Sequence, residues 1–175
     1  MNVIPANQNH IAEILEIYRP YIEKTAISFE ALCPALDEFT KRFMEIAKNC
    51  PWLVLIEEGR VKGYAYAHEF NPRCAYRFSI ETSVYVDIEN HTRGIGSSLY
   101  RHLLDQLKMA GYYNAIAGIT LPNEKSVHLH QKFGFKPVGI YKKVGFKMGK
   151  WHDVGYWQLS LQEKYSNPKA LNFVW

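Results

Sequence analysis

Between Thr82 and Leu107 an alternating stretch, a glycine-bearing loop and an apolar stripe follow one another, a succession suited to holding a negatively charged ligand. Arg93-Gly94-Ile95-Gly96-Ser97-Ser98 leads into Leu99, Leu103 and Leu107, which recur at four-residue spacing on one helical face. The loop therefore ends at a helix N-terminus, where unpaired backbone N–H groups attract an anion such as a pyrophosphate. Gly94 and Gly96 let the backbone approach such a ligand without an intervening Cβ, and Arg93 adds a positive charge at the rim. Two familiar phosphate loops are excluded by residue type. A P-loop needs Lys and then Ser or Thr after its second Gly, whereas Ser97 and Ser98 follow Gly96; a dinucleotide fingerprint needs a third small residue where Leu99 stands. Metal and thiol chemistry find no matching pattern. Cys33, Cys50 and Cys74 form no CxxC pair, HExxH spacing is absent, and His128 and His130 lie on different sides of a helix.

Such a loop needs a strand before it and a sheet to carry that strand. Residues 76–86 read as a strand, with small, polar and apolar residues alternating from Thr82 through Ser83, Val84 and Tyr85 to Val86, and residues 87–91 break it. Upstream, residues 2–4 suit a short strand, and Asn7 is an N-cap for a helix carrying Ile11, Ile14, Leu15 and Tyr18 on one face. Pro20 weakens that helix, and residues 21–31 read as a loop. Pro34 opens a second helix with Leu36, Phe39, Phe43, Ile46 and Ala47 on its buried side, ended by Asn49 and Pro51. Residues 52–57 and 61–68 form a hairpin around Glu58-Gly59. Downstream, Gly111 stops the long helix, residues 114–119 form a short strand, and residues 126–133 form a short helix after Pro122-Asn123, closed by Gly134. Residues 137–141 and 151–161 make a final antiparallel pair, joined by the basic link 142–150. This order predicts a mixed α/β (α+β) sheet with helices on its faces.

A chain of 175 residues can bury a sizeable single core, so one domain is expected across 1–175, with 162–175 as a tail in which Leu171, Phe173, Val174 and Trp175 can dock. Its 47% hydrophobic and 22% charged residues are ordinary for a globular protein. The net charge of +4 comes from scattered Lys and Arg without a basic block, which argues against a nucleic-acid partner and suits an anionic cofactor. No apolar run approaches the ~20 residues that span a bilayer. No basic-then-apolar leader opens the chain, and its cysteines suit a reducing compartment. A cytoplasmic protein with no membrane partner and no metal is expected.

Val84-Tyr85-Val86, Arg93 to Ser97, then Asn123 and Ser126, then His130-Gln131-Lys132-Phe133-Gly134-Phe135 resemble, in order and spacing, the GNAT superfamily of acetyl-CoA-dependent N-acetyltransferases. Glu81 to Val86 together with Gly149-Lys150-Trp151-His152-Asp153-Val154-Gly155 resembles, more narrowly, its phosphinothricin and methionine sulfoximine acetyltransferase branch. The resemblance runs over residues 4–161 and departs at His91, where the superfamily usually has Gln or Arg. It implies a GNAT-like, mostly antiparallel central sheet with a splayed V between its central strands. Pantetheine is then expected along Val84, Tyr85 and Val86, the pyrophosphate at Thr92, Arg93, Gly94, Ile95, Gly96 and Ser97, and further cofactor contacts at Asn123 and Ser126.

The same resemblance puts the thioester near Glu81, Thr82 and Ser83. Glu81 becomes a candidate general base, because an α-amine is mostly protonated near neutral pH and must lose a proton before it attacks a carbonyl. His130 stands where many GNAT enzymes carry Tyr and this branch carries His. It can protonate the leaving thiolate or help take the amine proton, since imidazole titrates near neutrality. Arg73 and Arg77 are candidates to hold an acceptor carboxylate in a bidentate pair, with Phe29 over the acceptor and Thr82 and Ser83 beside it. A homodimer is implied, bringing the region of Lys147, Trp151 and His152 near the neighbouring site. The expected reaction is acetyl transfer from acetyl-CoA to the α-amine of a small amino acid or glutamate-like analogue by direct attack, no Cys in the motifs serving as nucleophile. Acetylation of protein N-termini or polyamines, and an acyl-CoA-binding sensor without turnover, stay open. Arg73 and Arg77 favour a carboxylate-bearing acceptor, and Glu81 with His130 favours turnover.

Overall fold

Strands β1 (Asn2–Pro5), β2 (Trp52–Glu57), β3 (Arg60–Glu69), β4 (Ser79–Val86), β5 (Asn114–Leu121), β6 (Lys136–Lys147) and β7 (Lys150–Ser160) join in one sheet, in the order β1-β2-β3-β4-β5-β7-β6. The computed structural model describes residues 2–89, 94–163 and 167–172. Helices α1 (Ile11–Glu23), α2 (Leu36–Ala47), α3 (Ile95–Ala110) and α4 (Glu124–Lys132) cover the sheet. Every pairing is antiparallel except that of β4 with β5.

The two faces of the sheet carry separate apolar layers, and for this reason β2 reads as a continuous apolar run rather than an alternating one. On one face the α3 stripe Ile95, Leu99, Leu103 and Leu107 packs with Leu53, Leu55, Ala65, Ile80 and Ala115. On the other, α1 and α2 bring Ile14, Tyr18, Phe39 and Phe43 against Trp52, Val54 and Tyr64. Leu99, Leu103 and Leu107 are each 0% exposed, and burying one such side chain contributes about 1.5–3 kcal/mol. The stripe thereby fixes the start of α3 beneath the end of β4. Among the described residues no helix is long and apolar enough to cross a membrane.

Three local expectations are corrected. Helix α1 continues through Pro20 to Glu23, because buried Ile22 and the contact of Tyr21 with Tyr85 offset the cost of the proline, and Lys24 N–H still reaches the Pro20 carbonyl at 2.9 Å. The strand expected from residue 76 begins at Ser79, and Cys74–Tyr76 is a single 3₁₀ turn. The basic stretch 142–150 is mostly strand rather than link. β6 runs on to Lys147 and turns through Met148 and Gly149, at φ +54° and +75°, into β7. Asp153 makes this possible by accepting from Lys142 Nζ at 2.9 Å and from Lys143 N–H at 2.8 Å, beside an irregularity between Tyr141 and Gly145. In the tail, Leu171 packs on the core and Asn172 N–H donates to the Ala110 carbonyl at 3.0 Å; residues 173–175 lie outside the described part.

β4 and β5 pair only over Ser79–Glu81 and Asn114–Ile116, after which β5 stays with β7 as far as Leu121. The splayed V expected between the central strands is present, and it opens at Glu81.

Candidate functional site

The open edge of β4 is set by strand geometry. Asp87 N–H bonds to the Lys62 carbonyl, and in an antiparallel ladder residues alternate between bonding the neighbour and turning away from it. By that alternation Tyr85, Ser83 and Glu81 bond β3, while the backbone groups of Val86, Val84 and Thr82 point toward the side that β5 has left. The Val86 carbonyl accepts from Tyr21 Oη at 2.6 Å. Val84 and Val86 thus present peptide groups to the V, whereas the Tyr85 side chain is packed among Tyr18, Tyr21 and Tyr64.

At the wide end of the V the N-terminus of α3 meets α4. Gly94 has φ +97°, which a residue with a side chain adopts at a cost, and it directs the chain into Ile95. Gly96 is different. A Cβ there would meet Val86 Cγ2 at 3.5 Å and Leu129 Cδ2 at 3.6 Å, ordinary contacts that the chain's own packing tolerates. Ser97 Oγ accepts from Lys132 Nζ at 3.2 Å, so a lysine thirty-five residues away adds its charge to the helix N-terminus. Thr92 and Arg93 of the expected pyrophosphate loop, and His91 before them, lie outside the described residues. The helix start, the Lys132 charge and the peptide edge of β4 fit a long cofactor with phosphates at one end and amides along its arm.

α4 carries His130 into the narrow slit between the strands, which is lined by Thr82 to Tyr85, Gly118 to Thr120, Asn123, Ser126 and Ile27. Asn123 caps this helix by accepting from Ser126 N–H at 3.2 Å, and His130 Nδ1–H donates to the Ser126 carbonyl at 2.7 Å. A carbonyl only accepts, so the proton of the neutral ring is on Nδ1 and a lone pair is on Nε2. That Nε2 is buried and, among the described residues, finds no hydrogen-bond partner, in a residue 3% exposed. Burial moves the His130 pKa below the ordinary 6.5, against a smaller upward pull from the Ser126 carbonyl. Tyr100, at 4.9 Å edge-on, and Phe135, at 5.1 Å, hold the ring.

Glu81 approaches the V from the other face of the sheet. Its side chain lines a cavity of about 410 Å³ with Ile27, Phe29, Gly118, Thr120, Tyr141, Val144, Val154 and Tyr156. Burial raises its pKa above 4.5, and the nearby His68, opposite it in the β3–β4 register, pulls it partly back. Ile27, Gly118 and Thr120 line both the cavity and the slit, so the spaces reached by Glu81 and His130 adjoin. At Gly118 a Cβ would meet Glu81 Oε1 at 3.4 Å, so the carboxylate lies directly over this backbone.

Phe29 lies in the cavity wall. Ser83 lines the slit, whereas the Thr82 hydroxyl is used within the fold: it donates to the Ile116 carbonyl at 3.1 Å and accepts from Tyr100 Oη at 2.6 Å. Arg73 and Arg77 are not brought to the Glu81 cavity. Arg77 stacks its guanidinium 4.6 Å over Phe78 and lines a separate depression with Glu45, Cys50 and Tyr112; exposed Arg73 stands at the start of the Cys74–Tyr76 turn. Sequence reading missed Lys132, Ile27, Thr120 and Tyr156. Only Lys132 had a local signal, its place within His130 to Phe135. Among the described residues no three His, Cys, Asp or Glu side chains gather in a metal-binding group.

Comparison with known proteins agrees with this geometry. Residues 5–155 match the family described as the acetyltransferase (GNAT) domain. The phosphinothricin N-acetyltransferase of Streptomyces viridochromogenes is 36% identical over 158 residues, 90% of this chain and 86% of that protein. An L-amino acid N-acyltransferase of Escherichia coli is 32% identical over 98% of this chain and 99% of its own length. The crystal structure of a Sinorhizobium meliloti phosphinothricin acetyltransferase in complex with acetyl-CoA superposes with a TM-score of 0.92, at 34% identity over 96% of this chain and 92% of that one. With a split β4–β5 edge, a glycine-led α3 and a match across most of its length, the chain belongs to the GNAT acetyltransferase family and uses acetyl-CoA as its acetyl donor.

Proposed function

We propose that this protein transfers the acetyl group of acetyl-CoA to the α-amine of a small amino acid or glutamate-like analogue, of the phosphinothricin or methionine sulfoximine type, by direct attack of the amine. One observation carries the reading: the Nε2 of His130, unpaired among the described residues, and the desolvated carboxyl of Glu81 reach adjoining spaces from opposite faces of the sheet. Bound acetyl-CoA supplies an activated carbonyl; the chain orients the amine and moves its proton. The raised pKa makes Glu81 a stronger base than an ordinary carboxylate, suited to a protonated amine arriving from the cavity. Neutral His130 takes a proton at Nε2 and then holds it for the departing sulfur. None of the three cysteines lines the slit or the cavity, which supports direct attack over an acyl-enzyme.

The working unit in this proposal is a cytoplasmic homodimer. Its support is the edge strand β6, where Val138, Tyr141 and Phe146 are 65%, 63% and 61% exposed, apolar side chains on an unpaired sheet edge that a second copy would cover. Sedimentation analysis checks the dimer. The reaction is checked by thiol release from acetyl-CoA with phosphinothricin, methionine sulfoximine, common L-amino acids, a polyamine and a peptide side by side. Turnover with the free amino compounds is expected; activity on the peptide or polyamine alone would overturn the substrate class, and none on any amine would favour a sensor.

A further inference from the structure

We propose that Lys147 is a positioning residue of the acceptor site, reaching from the end of β6 to fix the loop after α1 so that Ile27 and Phe29 stand as the outer wall of the Glu81 cavity. The inference rests on reading that cavity as the acceptor site. Lys147 Nζ donates to the Ile22 carbonyl at 2.6 Å and to the Ser28 carbonyl at 2.7 Å. The first belongs to the last turn of α1, where carbonyls lack helical partners and the dipole favours a cation. The second lies between Ile27 and Phe29. One ammonium group therefore ties the end of α1 to the middle of the loop, a task suited to three donors on a flexible stem.

Two neighbours show that this end of the hairpin is shaped for the loop. Gly145 shares the inward face of β6 with Lys147, and a Cβ there would collide with the Phe29 ring at Cε2 and Cζ, so the ring is seated on bare backbone. His152, paired with Gly145 in the register, donates from Nε2 to the Lys147 carbonyl at 3.0 Å, with its ring 6.1 Å from that of Phe29. From the opposite side Tyr18 Oη meets Ser28 Oγ at 2.7 Å and donates to Glu30 at 2.9 Å, while Thr120 Oγ1 donates to the Ile27 carbonyl at 3.4 Å. The loop is thus held between α1, β5 and the hairpin, and Lys147 joins its middle to the end of α1.

Lys147→Met keeps the stem and removes the donors. Hydrogen exchange of residues 23–30 should accelerate about tenfold or more while β4 and α3 keep parental protection. The KM for the amine acceptor should rise about tenfold with acetyl-CoA affinity within about twofold of parent, and Lys147→Arg should recover part of the loss. Gly145→Ala, which displaces Phe29 without touching the ammonium, should also raise acceptor KM, and that effect should vanish in a Phe29→Ala background. Parental exchange in 23–30, or a parental acceptor KM in Lys147→Met, overturns the proposal. If the parent acetylates no amine, the substrate reading fails instead, and exchange in 23–30 still decides whether Lys147 holds the loop.

Discussion

His130 Nδ1 and the Ser126 carbonyl, one helical turn apart and 2.7 Å from each other, decide which face of the imidazole meets the cleft. Because Nδ1 must donate, Nε2 is the basic nitrogen, and burial keeps it unprotonated to lower pH than an exposed His. The sign is therefore fixed: if His130 must be neutral, activity falls as pH drops through a midpoint below 6.5. Glu81, displaced upward from 4.5, also loses its basic form as pH falls, so one pH profile cannot assign the acid limb. His130→Ala should remove the limb that His130 causes. Measured kcat/KM against pH for both variants separates them, and an unchanged profile in His130→Ala would leave this ring a packing role.

Glu81→Gln keeps the shape in the cavity and abolishes proton acceptance. Turnover should fall by roughly 10² to 10⁴ with acetyl-CoA affinity close to parental. Steady-state kinetics with calorimetric titration tests this. Parental turnover across the pH range would leave His130 or a bound water as the base.

Gly96 is not demanded by the chain's internal contacts, so a larger residue there reports on the ligand. Gly96→Val should leave thermal stability within a few degrees and weaken acetyl-CoA binding about tenfold or more, by obstructing the backbone N–H groups of the first α3 turn. Lys132→Ala should weaken the same binding several-fold at low salt and less at high salt, since its exposed charge is screened. Titration of acetyl-CoA at two ionic strengths is the measurement; parental affinity in both variants would remove this helix start from the cofactor site.

Arg73 and Arg77 stand outside the Glu81 cavity, so neither should discriminate by the acceptor carboxylate. Arg73→Ala and Arg77→Ala should change KM for carboxylate-bearing acceptors and for matched amides alike, Arg73 being exposed at the start of a turn and Arg77 committed to Phe78 and a separate depression. Paired kinetics on an amino acid and its amide decide; a loss confined to the carboxylate-bearing acceptor, of about 1.5–3 kcal/mol as for a charge-assisted bond, would return that arginine to the site.

Features carried by one element were legible before any coordinates. Leu99, Leu103 and Leu107 announce α3 because burial on one helical face repeats about every turn, and Glu58-Gly59 announces its hairpin because a tight turn needs positive φ there, which both residues have. Asn123 reads as a cap for the same kind of reason: the donor it satisfies is three residues away. The ordered motifs carried the sheet, its V and the cofactor.

Relationships across the sheet were decided only by tertiary structure. That Glu81 and His130 reach the V from opposite faces follows from the pleat of β4 and from where β5 departs, and neither leaves a trace near those residues. The continuation of β6 through 142–147 was hidden because its lysines look like a solvated link until Asp153, on the neighbouring strand, pairs with the Lys142 ammonium and takes the Lys143 N–H. Lys132 meets Ser97 across thirty-five positions, and Lys147 meets Ile22 across 125. Side-chain periodicity records which face of an element is buried, whereas these contacts depend on register and splay between elements, which are set by the packing of the whole chain.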